Sequence, residues 1–427
     1  MQEYNEEISK YTEYCLNCKT KPCQSGCPLS NDIPSFIRKL KEGDIEEAYK
    51  VLTNTTMLGA ICGRICPHQK QCQGNCVRGI KQYPVNIGKI EAYIFDKAIM
   101  EKKLYKNIEK NSELKGKKIA IIGSGPAGLT AAAFLARCSA TVHIYEKQDK
   151  LGGILRYGIP EFRLPKDILD NTINSILNLG IDYNVKSELG KDYTLEELKD
   201  KYDVVFLSFG ANISSKMNIE GEELDGVYGG NQLLETGEHP NYIGKNVAVI
   251  GGGNVAMDTS RTIKRMGANR VVVIYRRAEE QMPAEQKEIE EAKEEGIEFL
   301  FQNNIVKIIS NDNKKLNRIE CIKTELIQKE GETRKVPVNI EDSNYYLDMD
   351  YVVMAVGSKA NIDLIDSMKL EKTQYGNISV NEKYMTSNKG VFAAGDLIGT
   401  KSTVAWAARS GREAAKNIIE YLKEKTV

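Results

Sequence analysis

The chain has 427 residues, with 59 Lys plus Arg set against 59 Asp plus Glu, so its formal charge is zero. That length accommodates two or three domains with sizeable cores. The charge balance offers no basic surface of the kind that nucleic acid or an anionic membrane requires, and neither partner is expected.

The opening residues, MQEYNEEISKYTEY, are acidic and polar and do not read as a secretory signal, which points to a cytoplasmic protein. Eight of the ten cysteines then fall between Cys15 and Cys76, while Cys138 and Cys321 are isolated. In a long chain without a secretory leader, such clustering points to metal rather than to disulfides. The first set is Cys15-x2-Cys18-x4-Cys23-x3-Cys27-Pro28; the second is Cys62-x3-Cys66-Pro67, followed by Cys72-x3-Cys76. Zinc commonly takes thiols as paired Cys-x-x-Cys knuckles. Four cysteines in one short run, with proline directly after the last, are closer to the runs that hold [4Fe–4S] clusters. Between the sets, Asp32 is placed to cap a helix whose face is Ile33, Phe36, Ile37 and Leu40, with Pro34 near its start. Asp44 opens another, with Ile45, Ala48, Tyr49 and Leu52 apolar. No strand pattern appears before residue 112. Residues 1–112 are therefore expected to form a helical cysteine-rich domain, with Glu101 to Lys118 a polar linker.

From Lys117 the texture changes to alternating strands and helices, an α/β pattern. The apolar stretch from Ile119 to Ala136 is not a membrane span, because Gly123, Gly125, Pro126 and Gly128 interrupt it as a phosphate loop does. Gly123 permits the tight turn, Gly125 the approach of a pyrophosphate, and Gly128 close packing of helix on strand. Pro126 and Ala127 start that helix, whose free N–H groups favour an anion. Glu146, at the end of the next strand, is placed to hold a ribose hydroxyl.

KKIAIIGSGPAG at 117–128 resembles KNVAVIGGGNVAMD at 245–258, so the chain holds two dinucleotide sites. The second loop has Gly251, Gly253 and Ala256 in the glycine-fingerprint places, with Asn254 and Val255 opening its helix. After the next strand, Arg276 and Arg277 stand where an NAD site carries an acid. Two guanidinium groups suit a 2′-phosphate, which selects NADPH. Cys138 and Cys321 have no cysteine nearby in sequence, so the redox-active pair of a disulfide reductase is lacking, and Cys138 reads as a packed thiol.

The first loop, Gly152-Gly153, the segment Leu155 to Pro165 and the late Phe392-Ala-Ala-Gly-Asp396 together resemble the flavoprotein family of pyridine-nucleotide reductases. That resemblance implies FAD at the first loop, with Gly153 and Arg163 nearby. It also implies Gly395 and Asp396 on the ribityl chain, and a helix start at Thr403 and Val404 with its dipole toward the flavin N1/O2 edge. The first dinucleotide domain then resumes after the second. The expected architecture is an N-terminal α-helical iron–sulfur domain (1–112) and two Rossmann-like domains. The FAD domain takes 113–239 and 355–427, and the NADPH domain is inserted at 240–354.

The cysteine spacing, Ile61-Cys-Gly-Arg-Ile-Cys-Pro67, Val85-Asn-Ile-Gly-Lys-Ile-Glu91, both glycine loops and FAAGD recur in order in one family, and the chain resembles it over nearly its whole length. This is the small subunit of bacterial glutamate synthase, which shares its module with dihydropyrimidine dehydrogenase and with the NADPH-binding subunit of ferredoxin:NADP transhydrogenases. The resemblance implies two interleaved clusters. Cys15, Cys18, Cys23 and Cys76 would hold one. Cys27, Cys66, Cys72 and Glu91 would hold the other, nearer the flavin, leaving Cys62 a spare thiol. Read from the residues alone, two all-cysteine sites with Cys62 as a ligand remain open. The implied activity is cofactor-borne: electrons pass from NADPH through FAD and the clusters to a partner, with no side chain acting as acid or base. The implied partner is a large glutamate synthase subunit that makes L-glutamate from glutamine and 2-oxoglutarate, or another electron-acceptor protein. The alternatives are a subunit of a ferredoxin:NADP transhydrogenase or a sulfide or polysulfide reductase. An alternative of another class is a zinc-stabilised flavin oxidase or monooxygenase acting alone.

Overall fold

The computed structural model describes residues 2–106, 108–311, 314–328 and 335–425. Two compact units result, the first made of Met1–Arg156, Glu161–Ala211 and Ala360–Val427, the second of Tyr157–Pro160 and Asn212–Lys359.

The first unit begins with helices α1 (Gln2–Tyr14), α2 (Ile33–Lys41), α3 (Ile45–Thr53), α4 (Gly59–Ile65) and α5 (Ile87–Met100). Among the described residues no strand precedes Lys118. The starts of α2, α3 and α5 are each fixed by a short side chain that satisfies an otherwise orphan N–H. Asp32 accepts from the Ser35 N–H, Asp44 from that of Glu47 and Asn86 from that of Lys89. The apolar faces turn inward: Ile33, Phe36 and Ile37 of α2, and Ala48 and Leu52 of α3, are buried. Cys23 lies on a short helix, Pro22–Gly26, Cys62 within α4 and Cys66 at its C-terminal end, and the other clustered cysteines in the turns between helices.

The dinucleotide fold starts with β1 (Lys118–Ile122), α6 (Pro126–Arg137), β2 (Thr141–Tyr145), β3 (Ile181–Asn184) and β4 (Val204–Leu207). Residues 119–122 and all of β4 are buried, as parallel strands covered on both faces must be.

The second unit holds β5 (Val227–Gly229), β6 (Asn246–Ile250), α7 (Asn254–Arg265), β7 (Arg270–Tyr275), α8 (Gln286–Glu294) and β8 (Glu298–Phe301). An antiparallel sheet follows, of β9 (Asn303–Ser310), β10 (Leu316–Ile327), β11 (Val336–Asn339) and β12 (Tyr345–Asp348), before β13 (Tyr351–Met354). The parallel sheet runs β5-β13-β6-β7-β8, and both β11 and β12 pair with β10 beside β9. The unit starts upstream of residue 240 because β5 pairs with β13, and because Ile213–Ser214 pairs with Ser358–Lys359. Between α7 and α8 a buried Arg261 guanidinium meets three carboxylates, Glu288 at 2.5 Å and Glu291 and Glu295 at 2.8 Å.

The chain then returns to the first unit with β14 (Val391–Ala393) and α9 (Val404–Glu424), completing a parallel sheet of order β14-β4-β1-β2-β3. Among the described residues no helix is long and apolar enough to cross a membrane.

Candidate cofactor sites

The first glycine loop joins β1 to α6. Gly123 has φ 94, outside the range of ordinary residues. A Cβ on Gly128 would lie 2.0 Å from the Gly123 carbonyl oxygen, so only glycine lets the helix sit this close to the strand. Gly125 caps α6 without a side-chain hydrogen bond, and a Cβ there would meet nothing within 4 Å. Free N–H groups at this helix start, with room beside them, suit an anion such as a phosphate. Pro126 and Ala127 form its first turn. The Glu146 carboxylate is buried beside the loop, accepting from the Ser124 N–H at 3.0 Å, the Ser124 hydroxyl at 2.5 Å and the Gln148 N–H at 2.9 Å. Gly153 lies against Gly125, where a Cβ would come within 2.8 Å of the Gly125 Cα. Arg163 is half-buried in the turn at 161–163.

The late motif reaches the same place, since a Cβ on Gly395 would stand 3.2 Å from Ala127 Cβ. The Gly395 N–H donates to the Ser410 hydroxyl at 2.9 Å. Burial raises the Asp396 carboxyl above the ordinary range, and the Thr400 hydroxyl donates to it at 2.9 Å. Thr403 caps α9 by accepting from the Trp406 N–H, and Val404 is the first helical residue. The loop, Glu146, Gly153, Gly395 and Asp396 thus converge from about 20 to 270 residues apart in sequence.

The second loop repeats the plan. Gly251 has φ 140, and its Cβ would strike the Ala355 carbonyl oxygen at 2.2 Å. Gly253 caps α7 with no side-chain bond. Asn254 Oδ1 accepts from the Glu285 N–H, Val255 is half-buried and Ala256 is fully buried. Arg276 is exposed and Arg277 half-buried, directly after β7. Their backbones are pinned, because the Arg276 carbonyl accepts from the Thr324 hydroxyl and the Arg277 carbonyl from the Gln302 N–H. Among the described residues neither guanidinium has a hydrogen-bond or ion-pair partner. Two unpaired cations on a fixed backbone suit a phosphate dianion.

The cysteines fall into two groups. Cys15, Cys18, Cys23 and Cys76 line one cavity with Pro22, Pro34 and Val85. Burial pushes the Cys23 thiol up to about 11, with Cys15 and Cys76 adding to the shift. The other group is Cys27, Cys62, Cys66, Cys72 and Glu91. Burial, then the Glu91 charge, pushes the Cys27 thiol up to about 12. Cys66 is raised first by its hydrogen bond with Cys62, and by burial, Glu91 and Cys72. Cys72 is raised by burial and by Cys27 and Glu91. Glu91, on α5, is 5 % exposed, and burial pushes its carboxyl up to about 8. Its hydrogen-bond donor among the described residues is the Asn31 amide at 3.3 Å. A carboxylate buried beside three thiols with one hydrogen bond is short of partners, which a metal centre would supply. Cys62 is buried next to Cys66. Among the described residues no three His, Cys, Asp or Glu side chains are drawn together tightly enough to seat a single metal ion. The make-up of the groups nonetheless fits clusters: four thiols in one, and in the other four thiols and a carboxylate, more than enough donors for a cluster.

The second group touches helix α9. The Gln71 amide, next to Cys72, donates to the Thr403 hydroxyl at 3.5 Å, and Arg409 of α9 donates to the Pro28 carbonyl, next to Cys27, at 3.2 Å. Sequence reasoning missed Asn31, Gln71, Arg409 and Arg412. They belong to no spacing pattern, and their partners are brought together by the fold alone.

A family model described as "Pyridine nucleotide-disulphide oxidoreductase" matches residues 117–414, and one described as "Dihydropyrimidine dehydrogenase domain II, 4Fe-4S cluster" matches residues 1–103. Fold, loops and matches together define an NADPH-dependent oxidoreductase with FAD and a [4Fe–4S] cluster domain. The chain is 34% identical to the glutamate synthase [NADPH] small chain of Escherichia coli (strain K12), over 96% of this chain and 90% of that one. It is 35% identical to that of Azospirillum brasilense, over 99% and 90%. The chain belongs to the family of the glutamate synthase small chain. It is also 35% identical to the NADP(+)-dependent formate dehydrogenase subunit beta of Moorella thermoacetica, over 95% of this chain but 60% of that one. Among solved structures, Mycobacterium tuberculosis FprA in complex with NADPH shares the fold at TM-score 0.64 and 20% identity, over 73% of this chain and 85% of that one.

Proposed function

We propose that this chain is the electron-input subunit of a larger enzyme, oxidising NADPH and delivering electrons through two [4Fe–4S] clusters to a glutamate synthase-type large subunit that forms L-glutamate. FAD, when bound, takes a hydride from NADPH and releases single electrons, which iron–sulfur clusters carry. The chain's own residues bind and orient. Gly123, Gly125, Gly128 and the start of α6 would hold the FAD pyrophosphate, Glu146 its ribose, and Gly395 and Asp396 its ribityl chain, with Gly153 and Arg163 alongside. The α9 start at Thr403 and Val404 would face the flavin's negative edge. Gly251, Gly253 and the α7 start would hold the NADPH pyrophosphate, and Arg276 and Arg277 its 2′-phosphate. Cys15, Cys18, Cys23 and Cys76 would ligate one cluster, and Cys27, Cys66, Cys72 and Glu91 the other. In this reading the helices before β1 form the cluster domain, the rest of the first unit is the FAD domain and the second unit, with Asn212–Lys359, the NADPH domain, and the protein is cytoplasmic.

The observation that carries the proposal is the contact of the Cys27 and Cys72 segments with α9, which supports a short route from flavin to clusters. Coverage of nine-tenths of two glutamate synthase small chains favours that partner. The likeness to a formate dehydrogenase subunit keeps a second reading, the same module feeding another acceptor. Anaerobic purification with metal and flavin analysis tests the core of the proposal. About eight irons and one FAD per chain are expected, with flavin bleaching by NADPH and not by equal NADH. Zinc in place of iron would overturn it in favour of a zinc-stabilised flavoenzyme. Glutamate formation on adding a glutamate synthase large chain separates the two partner readings.

A further inference from the structure

The residues after Cys27 form a tight turn. Ser30 takes φ 56, and its N–H donates to the Cys27 carbonyl at 2.9 Å. Asn31 is 2 % exposed. The Thr55 hydroxyl donates to its Oδ1 at 2.7 Å, which leaves its Nδ2 to face Glu91 Oε1 at 3.3 Å. One buried residue, four positions after Cys27, therefore reaches Glu91 with its side chain. Its support comes from a distance. Arg412 of α9 is 6 % exposed, and its Nη1 donates both to the Leu29 carbonyl at 2.8 Å and to the Thr55 carbonyl at 2.7 Å. The Arg412 charge is balanced by Glu413, which accepts from Nε at 3.0 Å and from Nη2 at 2.9 Å. A charged donor shared by two carbonyls ties the Cys27 turn to the segment that orients Asn31.

We infer that Asn31, backed by Thr55 and Arg412, is a positioning residue that aims the Glu91 carboxylate at the Cys27 group and thereby sets the electronic character of that cluster. The inference rests on the proposed ligand role of Glu91. Hydrogen bonds to metal-ligating carboxylates and sulfurs fix their orientation and tune the centre they hold.

The test uses the full chain, reconstituted anaerobically with 57Fe, in N31A, E91A, N31A/E91A and T55V forms. The readouts are Mössbauer and EPR spectra, with iron and flavin content as controls. The expected result is that N31A shifts one cluster's spectrum and leaves the other unchanged, and that E91A alters the same cluster. In the E91A background, N31A then adds nothing, as required of two residues acting in one unit. T55V, which keeps the shape of Thr55 and removes its hydroxyl, shifts the same signal by less, and it carries the test if N31A fails to fold. An N31A spectrum equal to that of the parent, a shift in both clusters, or a shift that persists undiminished beside E91A would each overturn the inference alone. E91A without effect on either cluster would overturn the ligand role of Glu91 and the inference with it.

Discussion

Removing both guanidinium groups, in R276A/R277A, isolates the nucleotide preference. Unit charges about 4 Å apart gain about 1 kcal/mol in water and about 4 kcal/mol at an effective dielectric near 20. Arg276 is exposed, so its interaction with a 2′-phosphate belongs at the low end; half-buried Arg277 belongs between, at about 2 kcal/mol. The sum is about 3 kcal/mol, roughly a hundredfold in kcat/KM for NADPH. NADH has no 2′-phosphate and should be oxidised as before. Because neither side chain is paired, their loss should change stability by no more than about 0.5 kcal/mol. The assay is steady-state oxidation of each nucleotide with ferricyanide as acceptor, beside a urea unfolding curve. Unchanged kcat/KM for NADPH, or equal losses for both nucleotides, would refute the assignment.

Three further outcomes are expected. In G128A the new methyl meets the Gly123 carbonyl oxygen at 2.0 Å, so α6 must retreat from β1 and flavin content per chain should fall; a full complement of FAD by absorbance would count against the phosphate-loop reading. In R261A three glutamates lose their shared cation, and Glu288 is itself buried, so the second unit should lose about 3–5 kcal/mol in denaturant unfolding. A loss below about 1 kcal/mol would show the network to be dispensable. C62A should keep the iron content of the parent while C72A loses about one cluster's worth; iron analysis showing a loss in C62A would move Cys62 into the ligand set.

The glycine loops and the caps Asp32 and Asp44 were legible because each rests on local geometry: a turn, a helix start and a short side chain a few residues apart. The start of the second unit was not. β5 is three residues long, carries no alternation and gains its place only by pairing with β13, more than a hundred residues later. The strands of the antiparallel sheet, 303–348, went unread for a related reason: β9 and β12 bury few of their residues, which leaves weak periodicity. The division of the thiols was beyond spacing too. Cys72 and Cys76 are four residues apart yet join different groups, and only the family pattern pointed to Glu91 beside Cys66.

The helix α9 shows why the flavin and cluster sides are hard to separate by mutation. Within ten residues of its start it carries the Thr403 cap, the Ser410 hydroxyl that holds the Gly395 N–H, and the Arg412 clamp on the Cys27 turn. Gly411 lies between the last two, where a Cβ would strike the Ala127 carbonyl oxygen at 2.3 Å, so α6 and α9 cross in backbone contact. Successive residues of a helix point about 100° apart, so Ser410, Gly411 and Arg412 address three different neighbours. That demands burial on most sides, and Ala405, Ala407, Ala408, Ala414 and Ala415 provide it with side chains too small to force the neighbours apart. In sequence this reads as an ordinary amphipathic run with an arginine in it. In the fold the arginine is buried because its partners are main-chain carbonyls 357 and 383 residues away, and a bond of that kind leaves no periodic trace. A defect placed on α9 therefore reaches both the flavin cradle and the Cys27 turn, whereas one placed on α5 at Glu91 reaches the thiol group alone.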